Sequence, residues 1–252
     1  MNEDRFTGRA DVYKKYRSSY PRELIDYLYT EVGFSPESVV ADIGSGTGIF
    51  SRLLLERGSR VTCVEPNEDM RRTAERDLTE AFPHFVSLEA SAESTGLADK
   101  SMNFVTVAQA FHWFDRPLFH GECRRILKDG GQVVLVWNVR DYEHEMIQKD
   151  LTIRETYAID TKGFAYAGGP PPDRADFFAN GVCAEKTFRN DMLMDRETYV
   201  GTNLSRSYSP REDQHPEKYR GLVAALRALF DEYQKHGVIH FPQYTQVFYG
   251  RV

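Results

Sequence analysis

At 252 residues and 41% hydrophobic content, the chain is long enough to bury a full core, as one large α/β domain or a domain with a cap. Its 32 basic and 38 acidic side chains are interspersed and leave a formal charge of −6; without a long basic run, nothing supports a nucleic-acid partner. No apolar stretch approaches the roughly 20 residues of a membrane span, and the polar residues 1–4 lack a signal-peptide core, so the expectation is a cytoplasmic protein with no membrane partner.

Residues 6–21 mix aromatic and basic side chains and read, taken alone, as a solvated amphipathic helix with its aromatics packed inward. Residues 39–43 are an apolar, β-branched run that ends in Asp42 and Ile43 and opens into Gly44-Ser45-Gly46-Thr47-Gly48. Apolar residues then recur at helical spacing over 49–55. Strand, tight glycine turn and helix in that order open a nucleotide-type crevice in a parallel sheet, with backbone N–H groups facing an anionic ligand group. The dinucleotide fingerprint G-x-G-x-x-G requires a small residue at position 49; Ile49 stands there, and the third glycine comes one position early at Gly48. Residues 60–64 read as a second buried strand ending in Glu65-Pro66-Asn67, with Met70 on the helix that follows. Glu65 lies 17 positions beyond Gly48, where an acid at a strand tip meets ribose hydroxyls, although an acid opening a helix reads equally as a dipole partner. Residues 84–90 form a third strand before Ser91-Ala92-Glu93, and residues 97–108 run through a turn into a fourth, which ends in Gln109-Ala110-Phe111-His112-Trp113-Phe114-Asp115.

The acid and G-x-G-x-G turn of Asp42, Gly44, Ser45, Gly46, Thr47 and Gly48 resemble motif I of the class I S-adenosylmethionine-dependent methyltransferases. The run 109–115 resembles the small-molecule branch of that family that includes trans-aconitate methyltransferase-like enzymes. The resemblance implies a Rossmann-like, doubly wound α/β fold with a seven-stranded mixed sheet whose last strand is antiparallel, and S-adenosylmethionine as cofactor. It implies cofactor contacts from the glycine turn with Asp42, from Glu65, Pro66 and Met70, from Ala92 and Glu93 at the adenine edge, and from Gln109. Residues 6–21 are similar to the N-terminal cap of the branch, which puts Tyr16 and Arg17 beside the cofactor, although Ser18 stands where the family usually has proline.

Further along, residues 116–127 read as a helix ending at a glycine cap and turn over 128–131, and residues 132–137 as a fifth strand with Asn138 to Asp141 at its tip. A helix over 143–159, a surface loop over 163–173, a sixth strand over 182–188, a helix over 195–207 and a long helix over 217–236 capped by Gly237 follow, with a final strand over 245–252. The expected organisation is a single domain over 1–252: a cap over 1–35, a cofactor core over 36–140, and a substrate-side cap with the last strands over 141–252. Cys63, Cys123 and Cys183 are widely spaced and read as buried thiols, and the seven histidines show no metal-ligand spacing, so no metal is expected.

Ligands of such sheets sit at the carboxyl ends of the strands, so the fourth and fifth strand tips should face a small-molecule methyl acceptor through Gln109, His112, Trp113, Asn138 and Arg140. His112 is the neutral-pH base of that set and the candidate catalytic residue for a hydroxyl acceptor; a carboxylate acceptor needs no base, and His112 then only packs. Trp113 offers a cation–π face or a core side chain, and Arg140 a carboxylate clamp or a surface ion pair. Arg206 and Tyr208 lie in a segment that resembles the family's acceptor side. Were the acceptor a polycarboxylate, Arg17, Arg140 and Arg206 would be the cations around it. An NAD(P)-dependent oxidoreductase and a non-enzymatic S-adenosylmethionine-binding regulator remain alternatives, and the oligomeric state has no signal in the sequence.

Overall fold

A computed structural model describes residues 19–159, 174–206 and 208–252. The expected cap helix with Tyr16 and Arg17, and the loop expected over 163–173, lie outside the described residues. The chain divides into two compact units, the first holding the described residues 19–138, 174–188 and 245–252, the second 139–159 and 189–244 apart from 207. The sequence led us to expect one domain with a cap; the described residues of the second unit hold an apolar core of their own.

In the first unit, helix α1 (Arg22–Tyr27) runs on into a wider turn (Leu28–Val32) that Gly33 ends in the left-handed conformation at φ 99°. Strand β1 (Val39–Ile43) pairs in parallel with β2 (Arg60–Val64) on one side and β4 (Met102–Ala108) on the other. Strand β3 (Phe85–Leu88) extends the sheet beyond β2, and β5 (Leu127–Arg140) lies beyond β4. With β6 (Ala184–Arg189) and the last strand β9 (Gln243–Gly250), the order is β3-β2-β1-β4-β5-β9-β6. The last strand therefore sits between the fifth and sixth, antiparallel to its neighbours, as the sequence led us to expect.

Helices α2 (Ile49–Leu55), α3 (Glu68–Leu78) and α4 (Arg116–Ile126) follow β1, β2 and β4, and turn apolar faces to the sheet because β-branched strands buried on both sides need cover. Asn67 and Asp115 cap α3 and α4 by accepting hydrogen bonds from the Met70 and Leu118 N–H groups. The turn expected over 128–131 is instead part of β5. Leu127 at the end of α4 is already extended, and pairing jumps from Met102–Leu127 to Phe104–Gln132, a bulge that includes Gly130 at φ 82°.

The second unit packs α5 (Glu145–Tyr157), α6 (Arg196–Leu204) and α7 (Pro216–Tyr233) around Met146, Ile147, Tyr199, Leu226 and Phe230. It also contains an antiparallel pair of β7 (Met192–Asp195) with β8 (Val238–Phe241), which the sequence did not lead us to expect. Gly237, expected to cap the long helix, lies in the turn entering β8; α7 ends earlier, at Tyr233, because Gln234 is extended.

Candidate functional site

Parallel pairing brings the carboxyl ends of β1, β2 and β4 side by side, with Ile43 opposite Val64 and Asp42 opposite Thr106. The turn after β1 folds over the tip of β2: Gly44 and Ser45 donate their N–H groups to the Val64 carbonyl at 2.8 and 3.3 Å. Glu65 therefore emerges directly beneath the turn. Its Oε2 accepts from the Gly46 N–H at 2.9 Å and its Oε1 from the Asn67 N–H at 2.9 Å.

The three glycines of the turn all have positive φ but do different things. A Cβ on Gly44 would stand 2.6 Å from the Ala110 Cβ, and one on Gly48 would stand 2.6 Å from Leu78 Cδ1; both glycines exist for close packing. A Cβ on Gly46 would meet nothing within 4 Å, so Gly46 faces open space. Next to it, Thr47 is 5% exposed and its hydroxyl has no hydrogen-bond partner among the described residues. The Ser45 hydroxyl is likewise enclosed, near the Cys63 thiol.

Asp42, expected among the cofactor contacts, lies one layer below the open surface. It is fully enclosed, with one carboxylate oxygen accepting from Ser51 Oγ and the other from Thr106 Oγ1 at 2.8 Å. The Cys63 thiol extends the network by donating to Ser51 Oγ at 2.9 Å. Burial, aided by the nearby Glu65 charge, pushes the Asp42 carboxyl up to about 6 against the two hydroxyl donors. Fully enclosed, Asp42 joins the β1 and β4 tips to α2 and sets the turn from beneath.

The remaining candidates of this unit stand at neighbouring strand tips. Met70 is buried on α3, while Pro66 keeps some exposure. Ala92 is buried in a tight turn closed between Ser91 and Ser94, and Glu93 Oε1 accepts from the Asp115 N–H at 2.9 Å, which anchors the turn to the start of α4. Gln109 has φ 64°, a left-handed conformation that a non-glycine residue rarely adopts, and it sits at the tip of β4. Its N–H donates to the Val136 carbonyl at 2.9 Å, and its side chain reaches the Asn138 carbonyl at 3.4 Å. Phe111 is fully buried between Trp137 and Phe177, so His112 and Trp113 are held on a short 3₁₀ turn with ring centroids 4.6 Å apart. Asn138 is partly tied into the sheet, since its Oδ1 accepts from Thr245 Oγ1 at 2.6 Å.

Arg140, Arg206 and Tyr208 belong to the second unit, around a buried ion pair that the sequence reading missed. Arg154 Nε donates to Asp150 Oδ2 at 2.8 Å with both side chains enclosed. Asp150 Oδ1 accepts from the Tyr199 hydroxyl at 2.7 Å, and Arg154 Nη1 donates to Tyr208 Oη at 2.7 Å. Arg140 lies over the Phe241 ring, 5.7 Å from its centroid. Arg140 Nη1 and Arg206 Nε are enclosed without an acceptor. A signal for the pair did exist: Asp150 and Arg154 continue the helical stripe of Met146 and Ile147, so two charges stand where apolar residues belong. Among the described residues no cluster of histidine, cysteine and acidic side chains can hold a metal, and no helix is long and apolar enough to cross a membrane.

A mixed seven-stranded sheet with a G-x-G-x-G turn over a strand-tip glutamate is the arrangement of class I methyltransferase domains, which use S-adenosylmethionine. Residues 41–135 match the family model described as a methyltransferase domain. An uncharacterized methyltransferase of Mycobacterium tuberculosis is 39% identical over 136 residues, which cover 54% of this chain and 53% of that protein. The chain thus matches about half the length of that relative. Among solved structures, a putative methyltransferase from an antibiotic biosynthesis pathway of Anabaena variabilis shares the fold, with a TM-score of 0.63, 18% identity, and 94% and 98% of the two chains covered. The residues present fit the cofactor: Glu65 places a carboxylate at the strand tip beside the turn, Gly46 leaves room above it, and the buried Thr47 hydroxyl has no partner among the described residues.

Proposed function

We propose that the protein transfers a methyl group from S-adenosylmethionine to a small-molecule acceptor, at a carboxylate or hydroxyl oxygen. The observation that carries the reading is the open space at Gly46 directly beside the Glu65 carboxylate. The bound cofactor would supply an electrophilic methyl group on a sulfonium; the protein's part is alignment and exclusion of water. Glu65 would accept ribose hydroxyls in place of the Gly46 N–H, and Met70, Pro66, Ala92, Glu93 and Gln109 would hold the nucleoside. Asn138 orients the acceptor, and Trp113 presents a π face toward positive charge. His112 takes the proton when the acceptor is a hydroxyl. The branch-level likeness rests on residues 109–115.

Calorimetric titration with S-adenosylmethionine, its demethylated product and NADH in parallel tests the cofactor. Micromolar binding of the first two supports the reading, and binding of NADH alone refutes it. Mass spectrometry of products from a metabolite panel separates an enzyme from a regulator. With a hydroxyl acceptor in hand, His112→Ala should lower kcat by about 10²–10⁴-fold, the usual size of a general-base contribution.

A further inference from the structure

The second unit concentrates positive charge where a folded protein ordinarily balances it. Arg140, Arg154 and Arg206 act electrostatically on one another, and Asp150 is the acid that bears on all three. Among the described residues, three guanidinium groups therefore face one carboxylate, and that carboxylate is already engaged by Arg154 and the Tyr199 hydroxyl. Arg140 and Arg206 have no ion-pair partner among the described residues, and each encloses a nitrogen without an acceptor. Both nonetheless keep some accessible surface. A guanidinium nitrogen withdrawn from water without an acceptor is costly, and a bound anion would offset that cost.

We propose that this unit carries a binding site for a doubly charged oxyanion, built on the forks of Arg140 and Arg206 and framed by Arg154 and Tyr208. The charge count sets the ligand class: two uncompensated positive charges call for a dianionic group, a phosphate monoester or a pair of carboxylates on one small molecule. Planar guanidinium forks suit either, because each matches two oxygens of a carboxylate or phosphate. Burial and the neighbouring Arg140 push the Arg206 guanidinium down to about 9, and burial likewise lowers that of Arg140; a bound anion would reverse both effects. The site is argued within this unit alone and does not depend on the methyl-transfer reading.

The test is thermal unfolding of the full chain with inorganic phosphate, citrate, succinate or acetate, at constant ionic strength in a non-coordinating buffer. A saturable rise in Tm with phosphate or with a polycarboxylate, absent with acetate, supports the site, and the anion that works identifies the source. Arg206→Met and Arg140→Met should each weaken that anion at least tenfold and leave S-adenosylmethionine binding unchanged. Arg206→Lys keeps the charge and loses the fork, so it should bind the anion more weakly while folding normally. The proposal is overturned if no dianion outperforms acetate, or if the double Arg140→Met, Arg206→Met variant responds as the parent does. Loss of S-adenosylmethionine binding alone would strike the methyl-transfer reading and leave the anion site standing.

Discussion

Glu65 Oε2 accepts the Gly46 N–H across 2.9 Å, which closes the strand-tip acid onto the one glycine of the turn that faces open space. A ligand with vicinal hydroxyls competes for that carboxylate at no steric cost to the turn. Gly46→Ala should therefore fold, with the roughly 1 kcal/mol penalty of a left-handed non-glycine residue, and lose most of its S-adenosylmethionine affinity. Glu65→Ala should weaken binding by roughly 10- to 100-fold, the span of one or two hydrogen bonds to a charged group. Gly44→Ala, whose Cβ would collide with Ala110, should instead lose stability. Calorimetry and urea unfolding, run on all three, separate the two effects.

Asp42 gives the fold a pH dependence of definite sign. Its carboxyl is raised to about 6 by burial, so between the ordinary carboxylate value and about 6 the folded state holds a proton that the unfolded state has released. This group's contribution to stability accordingly falls as pH rises through that window and is flat above it. The full difference is about 3 kcal/mol, the free energy of moving a carboxyl's titration across that interval. Urea unfolding of the parent and of Asp42→Asn at pH 4.5 and 7.5 checks it: the variant's stability relative to the parent should improve at the higher pH.

Glu122 behaves in the opposite way. The Arg125 side chain, opposed by burial and helped by Thr95, holds its carboxyl down at about 2. Its stabilisation is present above the ordinary glutamate value and disappears as pH falls through about 2. Arg125 keeps a third of its side chain in solvent, so Glu122→Gln should cost only about 1–2 kcal/mol at pH 7. The cost should shrink toward zero in acid, measured by denaturant titration at both pH values.

In the second unit, Asp150→Ala should be among the most damaging single changes, by about 3–5 kcal/mol, because it leaves Arg154 buried without its carboxylate. Arg154→Met combined with it should recover part of that loss. A double-mutant cycle by urea unfolding measures the coupling.

The cofactor half was legible because its signals are local. Apolar β-branched runs, a glycine turn and an acid at a strand tip are written within consecutive residues, and parallel pairing followed from their alternation with helices. Helix ends were less legible: Gly237 matched the pattern of a cap, yet α7 stops at Tyr233 because Gln234 extends toward the β7–β8 pair. That pair joins residues 43 to 49 positions apart, with no turn signature between them to announce it.

The sequence alone determined that a glycine turn would stand over Glu65, because both are dictated by backbone conformation and the order of neighbouring elements. Only the tertiary structure decided that Asp42 would be sealed beneath that turn by Ser51 and Thr106, and that Gly46 alone of its glycines would face open space. It also decided that Arg140 and Arg206 would share one acid with Arg154. Burial and charge balance depend on which distant side chains the packing brings together, and no stretch of consecutive residues records that.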